Sequence, residues 1–214
     1  MITPRTSSLA VELEKLYKDR SVDMLFHGWH HISFVAKKAV KFAEAFDVDI
    51  ELVEAAALTH DLNYLVVVNS EPEAGKDLRA KYLSEAGFSD SEIAEIDGLV
   101  MEEHTATRHA QISDAAKALS DADTLFKALP VTPILFAGHF ITENHIDINK
   151  LAHKVVGEQK PLMEQDIYFY TEAAKAKYLN WAEINLKLWE NVAASLDDED
   201  VAEMLSIARN LKVI

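Results

Sequence analysis

The sequence predicts an all-α fold, and two observations predict it. Apolar residues recur at three- and four-residue spacing nearly everywhere, and alternating or β-branched runs are too short to build a sheet. With 214 residues, 49% of them hydrophobic, the chain can bury a sizeable core. Glycine (6) and proline (5) are scarce and no Ser- or Pro-rich linker, repeat or low-complexity tract interrupts the pattern, so a single domain over 1–214 is expected.

Ser8–Tyr17 reads as a short first helix. A longer one runs from about His30 to Phe46, with Ile32, Val35, Ala36, Ala39, Val40 and Ala43 on one face. Asp49 suits the N-cap of a helix over Glu51–Thr59, whose Glu51 and Glu54 match the positive end of the helix dipole. That helix delivers His60 and Asp61 at its end. Val66–Lys76 reads as a loop with Val66, Val67 and Val68 as its buried anchor and Pro72 and Gly75 as breakers. Asp77–Ala86 is helical and stops at Gly87, and Ser89 to Glu92 has capping-box spacing for a helix running to about His104.

The next helix begins after Ser113, turns Ala115, Ala116, Leu119 and Ala122 toward a core, and ends before Pro130. It carries Asp121 and Asp123. Pro133–Phe140, Asn149–Gly157, a long span from Pro161 to about Val192, and Asp198–Leu211 complete the pattern. The expected division is a core over about 22–130 with packing helices over about 131–214.

Lys and Arg number 21 against 36 Asp and Glu, a formal charge of −15. Coulomb repulsion then disfavours duplex nucleic acid and anionic membrane surfaces as partners. A phosphorylated small substrate would be repelled too unless the site holds a local positive centre, such as a metal ion. The absence of cysteine excludes disulfides, thiolate catalysis and thiolate metal sites. Charges at Glu12, Glu14, Lys15 and Lys18 interrupt the apolar run that a signal peptide or membrane span needs, so a cytoplasmic location is expected.

Nine histidines turn attention to nitrogen and carboxylate ligands. His60-Asp61 follows Ala55-Ala56-Ala57-Leu58, a stretch suited to tight core packing, where two further polar side chains are costly without partners. A metal would satisfy both; a surface helix end is the plainer alternative. His31 opens an amphipathic helix that would bring it inward, and Asp121-Ala122-Asp123 lies among Leu119, Leu125 and Leu129. Two imidazoles with two carboxylates suit Mn, Fe, Co, Ni, Zn or Mg rather than copper(I).

In this order, His, then His-Asp, then a distal Asp, the chain resembles the HD superfamily of metal-dependent phosphohydrolases. The resemblance rests on Phe26-His27-Gly28-Trp29-His30-His31-Ile32, a first motif similar to that of a bacterial branch, on Ala57-Leu58-Thr59-His60-Asp61, and on Asp121-Ala122-Asp123-Thr124-Leu125. It implies a divalent metal held by His31, His60, Asp61 and Asp123, with Asp123 preferred to Asp121. Residues 160–179 resemble the helical C-terminal part of the same branch. The chain departs from the pattern at Thr124 and Phe126, where Arg and Asp are frequent, and at Ser33 and Phe34, where basic residues are; this bears on the substrate class.

A clamp of His27 with His31, four apart, is a rival first ligand, against which Gly28 argues by interrupting a helix. His104 resembles the additional histidine of some HD enzymes, as ligand of a second metal or as a catalytic acid; an imidazolium at a helix C-terminus is the structural alternative. His30 is expected at the surface and Trp29 in the core. His109, His139, His145 and His153 have no motif around them. Lys127 and Arg108 are candidate substrate-binding residues, and Lys154 a further one, by closeness to the motifs; solvated surface charge is the alternative.

The resemblance implies hydrolysis of a phosphomonoester or phosphodiester of a nucleotide or other small phosphorylated metabolite by metal-activated water. Asp61 would bind the metal and orient the water, and His104 or a nearby carboxylate would move the proton. Three alternatives stay open: a non-catalytic metal and nucleotide sensor, a helical scaffold without metal, and a di-iron oxygenase of HD type. A homo-oligomer is compatible with all of them.

Overall fold

The computed structural model describes residues 2–106 and 108–213, and among them it contains eleven α-helices, one 3-10 turn and no strand. The chain opens with α1 (Pro4–Asp19), longer than expected because Thr3 and Thr6 form a reciprocal capping box and Pro4 sits at the first helical position, where a missing N–H is harmless. Then follow α2 (Trp29–Ala43), α3 (Ile50–Thr59), the single turn α4 (Leu62–Val66), a 3-10 turn (Pro72–Gly75), α5 (Lys76–Glu85) and α6 (Asp90–Glu103). The expected caps hold: Asp49 accepts from the backbone of Glu51 and Leu52, and Ser89 and Glu92 complete their box.

The centre of the molecule is α2 packed against α3 and α7 (Asp114–Ala128). Ala55, Ala56, Ala57 and Leu58 of α3 are fully buried, and their small side chains let neighbouring helices approach closely. Around this core stand α8 (Val131–Asn144), α9 (Ile148–Glu164), α10 (Glu172–Leu196) and α11 (Glu199–Asn210). They bring Phe140, Leu151 and Trp189 onto Phe26 and Phe126, a second apolar cluster beside the main one.

Two expectations are corrected. Val66, Val67 and Val68 do not anchor their loop; they are 51%, 56% and 40% exposed. Polar links hold it instead: Asn63 Nδ2 donates to the Ser70 carbonyl (2.6 Å), and the buried Arg79 guanidinium reaches the Pro72 carbonyl (3.3 Å) while paired with Asp97. Gly75 lies so close to α4 that a Cβ there would stand 2.6 Å from the Asn63 nitrogen. The expected boundary at Gly157 and the continuous span after Pro161 are also replaced, since α9 runs through both residues to Glu164 and α10 starts afresh at Glu172.

Asp121 explains that second start. Its carboxylate accepts from the Tyr170 N–H (2.6 Å), the Thr171 N–H (2.8 Å) and the Thr171 hydroxyl (2.6 Å), while Thr171 caps α10. A residue on α7 thus fixes where a helix fifty positions later begins. Among the described residues no single helix is long and apolar enough to cross a membrane.

Candidate metal centre

His31 sits in the first turn of α2. Gly28 caps that helix, and a Cβ there would stand 2.5 Å from the Met24 carbonyl, so the chain enters the helix at a point where a side chain does not fit. His60 ends α3, Asp61 caps α4, and Asp123 faces them from the buried side of α7. The three polar segments predicted from sequence therefore meet at one place.

His31 Nε2 and His60 Nε2 are 3.1 Å apart, and Asp61 Oδ2 lies 3.0 Å from the first and 3.1 Å from the second. Asp123 Oδ1 stands slightly back, 3.5 Å and 3.9 Å from the same two nitrogens. Atoms each about 2.1 Å from one divalent ion stand about 3 Å apart when they are adjacent ligands. Asp61 Oδ2, buried and close to both rings, has no hydrogen-bond partner in spite of that closeness. His60 Nδ1 lies 2.8 Å from the Ala57 carbonyl, which places a proton there and leaves the Nε2 lone pair toward the cluster. Distances, orphaned oxygen and donor types all fit a divalent metal ion.

The electrostatics ask for positive charge at the same point. Burial pushes Asp61 up, but His60 and His27 hold it well below the usual carboxylate range. Burial likewise opposes ionisation of Asp123, which Lys127, His31 and His60 bring down to about 2. Burial lowers His31, whereas at His60 it is outweighed by Asp61, Glu103 and Asp123, which carry the ring up to about 10. Without a metal, a proton on His60 answers the two carboxylates; a divalent ion would displace it.

The other predicted residues divide. Lys127 donates to Asp123 Oδ2 (2.7 Å), so its ammonium braces a candidate ligand at the edge of the cavity. His104 is not one of the clustered atoms; it lines the cavity into which they open, with Nδ1 3.4 Å from Glu71 Oε2, and burial lowers its pKa. Arg108 is buried and donates through Nη1 to the Ser120 and Thr124 hydroxyls of α7, lining an adjoining groove rather than the cavity itself. Lys154 pairs with Glu158 (2.6 Å). His30 is exposed and stacks on Phe136, and Trp29 packs half-buried against the main core.

His27 does not join His31 in the cluster as a rival ligand. Its Nδ1 is hydrogen-bonded to Glu143, whose other oxygen accepts from the Phe26 (2.6 Å) and His27 (3.2 Å) N–H groups, and its ring stacks on Tyr64 at 3.8 Å. Glu143 was invisible to sequence reading because its partner lies 116 residues away. Glu103 was missed too: a buried carboxylate on the cavity wall, raised to about 7 by burial and by Asp123. The only local signal was its place beside His104 at a helix end. The helices over 131–214 do more than pack, since α8, α9 and α10 supply one whole wall of the cavity through residues such as Phe140, Leu151 and Trp189.

Compared with known proteins, residues 28–127 match the HD domain family, a stretch that contains all four candidate ligands. No curated protein matches the chain. The crystal structure of Bacillus subtilis YpgQ in complex with ADP has a similar fold, with a TM-score of 0.61 and 20% identity over 92% of this chain and 99% of that one. An all-helical fold and a His-Asp cluster fit for a divalent ion both agree with the HD domain match over residues 28–127.

Proposed function

We propose that the chain is a metal-dependent phosphohydrolase of small phosphorylated metabolites, nucleotides among them. The observation that carries the reading is the convergence of His31, His60 and Asp61, with ligand atoms about 3 Å apart at one end of an open cavity. His31, His60, Asp61 and Asp123 would hold one divalent ion. Such an ion supplies Lewis acidity, lowering the pKa of water and drawing charge from a phosphoryl oxygen.

The chain's own groups do the rest. The Ala57 carbonyl keeps the His60 ring oriented, and Lys127 keeps Asp123 from swinging away. Glu103 stands on the cavity wall and is the carboxylate that would take the proton of the attacking water. His104, on the same wall, protonates the leaving oxygen or ligates a second ion. A ligand of nucleotide length would extend toward the adjoining groove and Arg108; the ADP bound by the structurally similar YpgQ supports including nucleotides.

The test is phosphate release by protein loaded with Mn, Fe, Co, Ni, Zn or Mg against a panel of phosphomonoesters, phosphodiesters and nucleotides. Turnover lost in Asp61→Ala supports the reading. Stoichiometric metal with no turnover on any substrate contradicts it and favours a sensor or an oxygenase.

A further inference from the structure

The cavity has two unlike halves. At one end are His60, Asp61, Asp123 and Glu103; α8, α9 and α10 add Ala137, Phe140, Leu151, Val155 and Trp189, with Lys154, Glu158 and Gln159 of α9 at the edge of this apolar wall. The cavity volume is about 140 Å³. Two polar side chains near that wall already have partners. The Thr132 hydroxyl donates to the Phe126 carbonyl (2.6 Å), and Gln159 Oε1 accepts from the Tyr168 hydroxyl (3.0 Å).

A hydroxyl-rich body placed against this wall would lose hydrogen bonds to water and regain few, whereas an apolar body gains by leaving water. Charge limits the other direction. The two lysines on the cavity, Lys127 and Lys154, are each paired with a carboxylate, and Glu103 and Glu158 also face it, so a chain of several phosphates would meet like charge. One phosphate at the metal end satisfies the site.

Building on the phosphohydrolase reading, we infer that the preferred ligand is a phosphate monoester whose alcohol carries an aromatic or branched aliphatic body, held in the apolar chamber of α8, α9 and α10. The chamber, rather than the metal cluster, then sets specificity. Ala137 and Val155 are half-buried on its wall, at the edge of the second apolar cluster.

Calorimetric titration of Mn-loaded protein with non-hydrolysable probes tests this without turnover. Benzylphosphonate is expected to bind at least about tenfold more tightly than methylphosphonate, a difference of about 1.4 kcal/mol. Ala137→Phe, which fills the chamber, should erase that preference, and Val155→Asn should lower the ratio of benzylphosphonate to methylphosphonate affinity, with the circular dichroism of both variants matching wild type. Equal affinity of the two probes, no binding of either, or tighter binding of AMP or of a polyhydroxylated alkylphosphonate would overturn the inference. A benzyl preference in a protein that releases no phosphate from any ester would refute the hydrolase reading alone; turnover without the preference would refute only the chamber's role.

Discussion

Asp121 and Asp123 lie two residues apart on α7, and the account gives them different fates on substitution. Asp121→Ala removes the acceptor of two N–H groups and one hydroxyl at the start of α10. Leaving a buried N–H without a partner costs about 1–3 kcal/mol, so losing both backbone partners predicts a destabilisation on the order of 2–5 kcal/mol. Urea unfolding of the metal-free protein, followed by far-ultraviolet circular dichroism, reads that loss as a lower midpoint. Metal affinity of the folded fraction should stay within a few-fold of wild type. Asp123→Ala should abolish tight metal binding whatever its effect on stability, because it removes a candidate ligand and leaves the Lys127 ammonium without its partner. A variant at Asp121 that unfolds like wild type but loses metal would refute this division.

Glu103 gives a pH prediction. Its pKa rises from an ordinary 4.5 to about 7 in the folded chain, so the folded state holds an extra proton between those values. Stability from this group is therefore fully present below about pH 4.5 and is lost as pH rises through about 7. Metal-free Glu103→Gln should show a smaller fall in melting temperature over that interval than wild type; an unchanged pH profile would contradict the shift. Glu143→Ala frees the Phe26 and His27 N–H groups and the His27 ring that lead into α2, and should cost about 1–3 kcal/mol in urea unfolding, as a buried N–H left without its partner does. Gly75→Ala forces a Cβ onto the Asn63 backbone and should cost about 1–3 kcal/mol in urea unfolding, with faster proteolysis between 66 and 76.

His31, His60 and Asp61 stand at helix ends, which local chemistry marks, whereas Asp123 lies inside α7 and was legible only through the resemblance of the ordered motifs to the HD superfamily. Asp49, Ser89, Ser113 and Asp198 are caps, and capping depends on residues two or three positions away. The rest depended on partners far along the chain. Nothing near Asp121 announces that it anchors Tyr170 and Thr171, and nothing near Glu143 announces His27. Val66 to Val68 looked like an anchor because three consecutive β-branched apolar residues favour burial, yet Asn63 and Arg79 hold that loop through carbonyls, which sequence patterns do not reveal. Pro161 suggested a helix boundary for a local reason, and α9 continues past it.

The apolar wall is a related case. Phe140, Leu151 and Trp189 lie in helices that the sequence reads as packing helices, and only the tertiary arrangement turns them toward the space next to Asp61 and Glu103. Sequence could supply the metal end of the cavity but not the chamber opposite it.

Elemental mass spectrometry of gently purified protein reads whether His31, His60, Asp61 and Asp123 hold a divalent ion. The account predicts about one equivalent of metal in wild type and in Asp121→Ala, and its loss in His60→Ala and Asp61→Ala. Metal absent from wild type after reconstitution, or retained in full by both ligand variants, would contradict it.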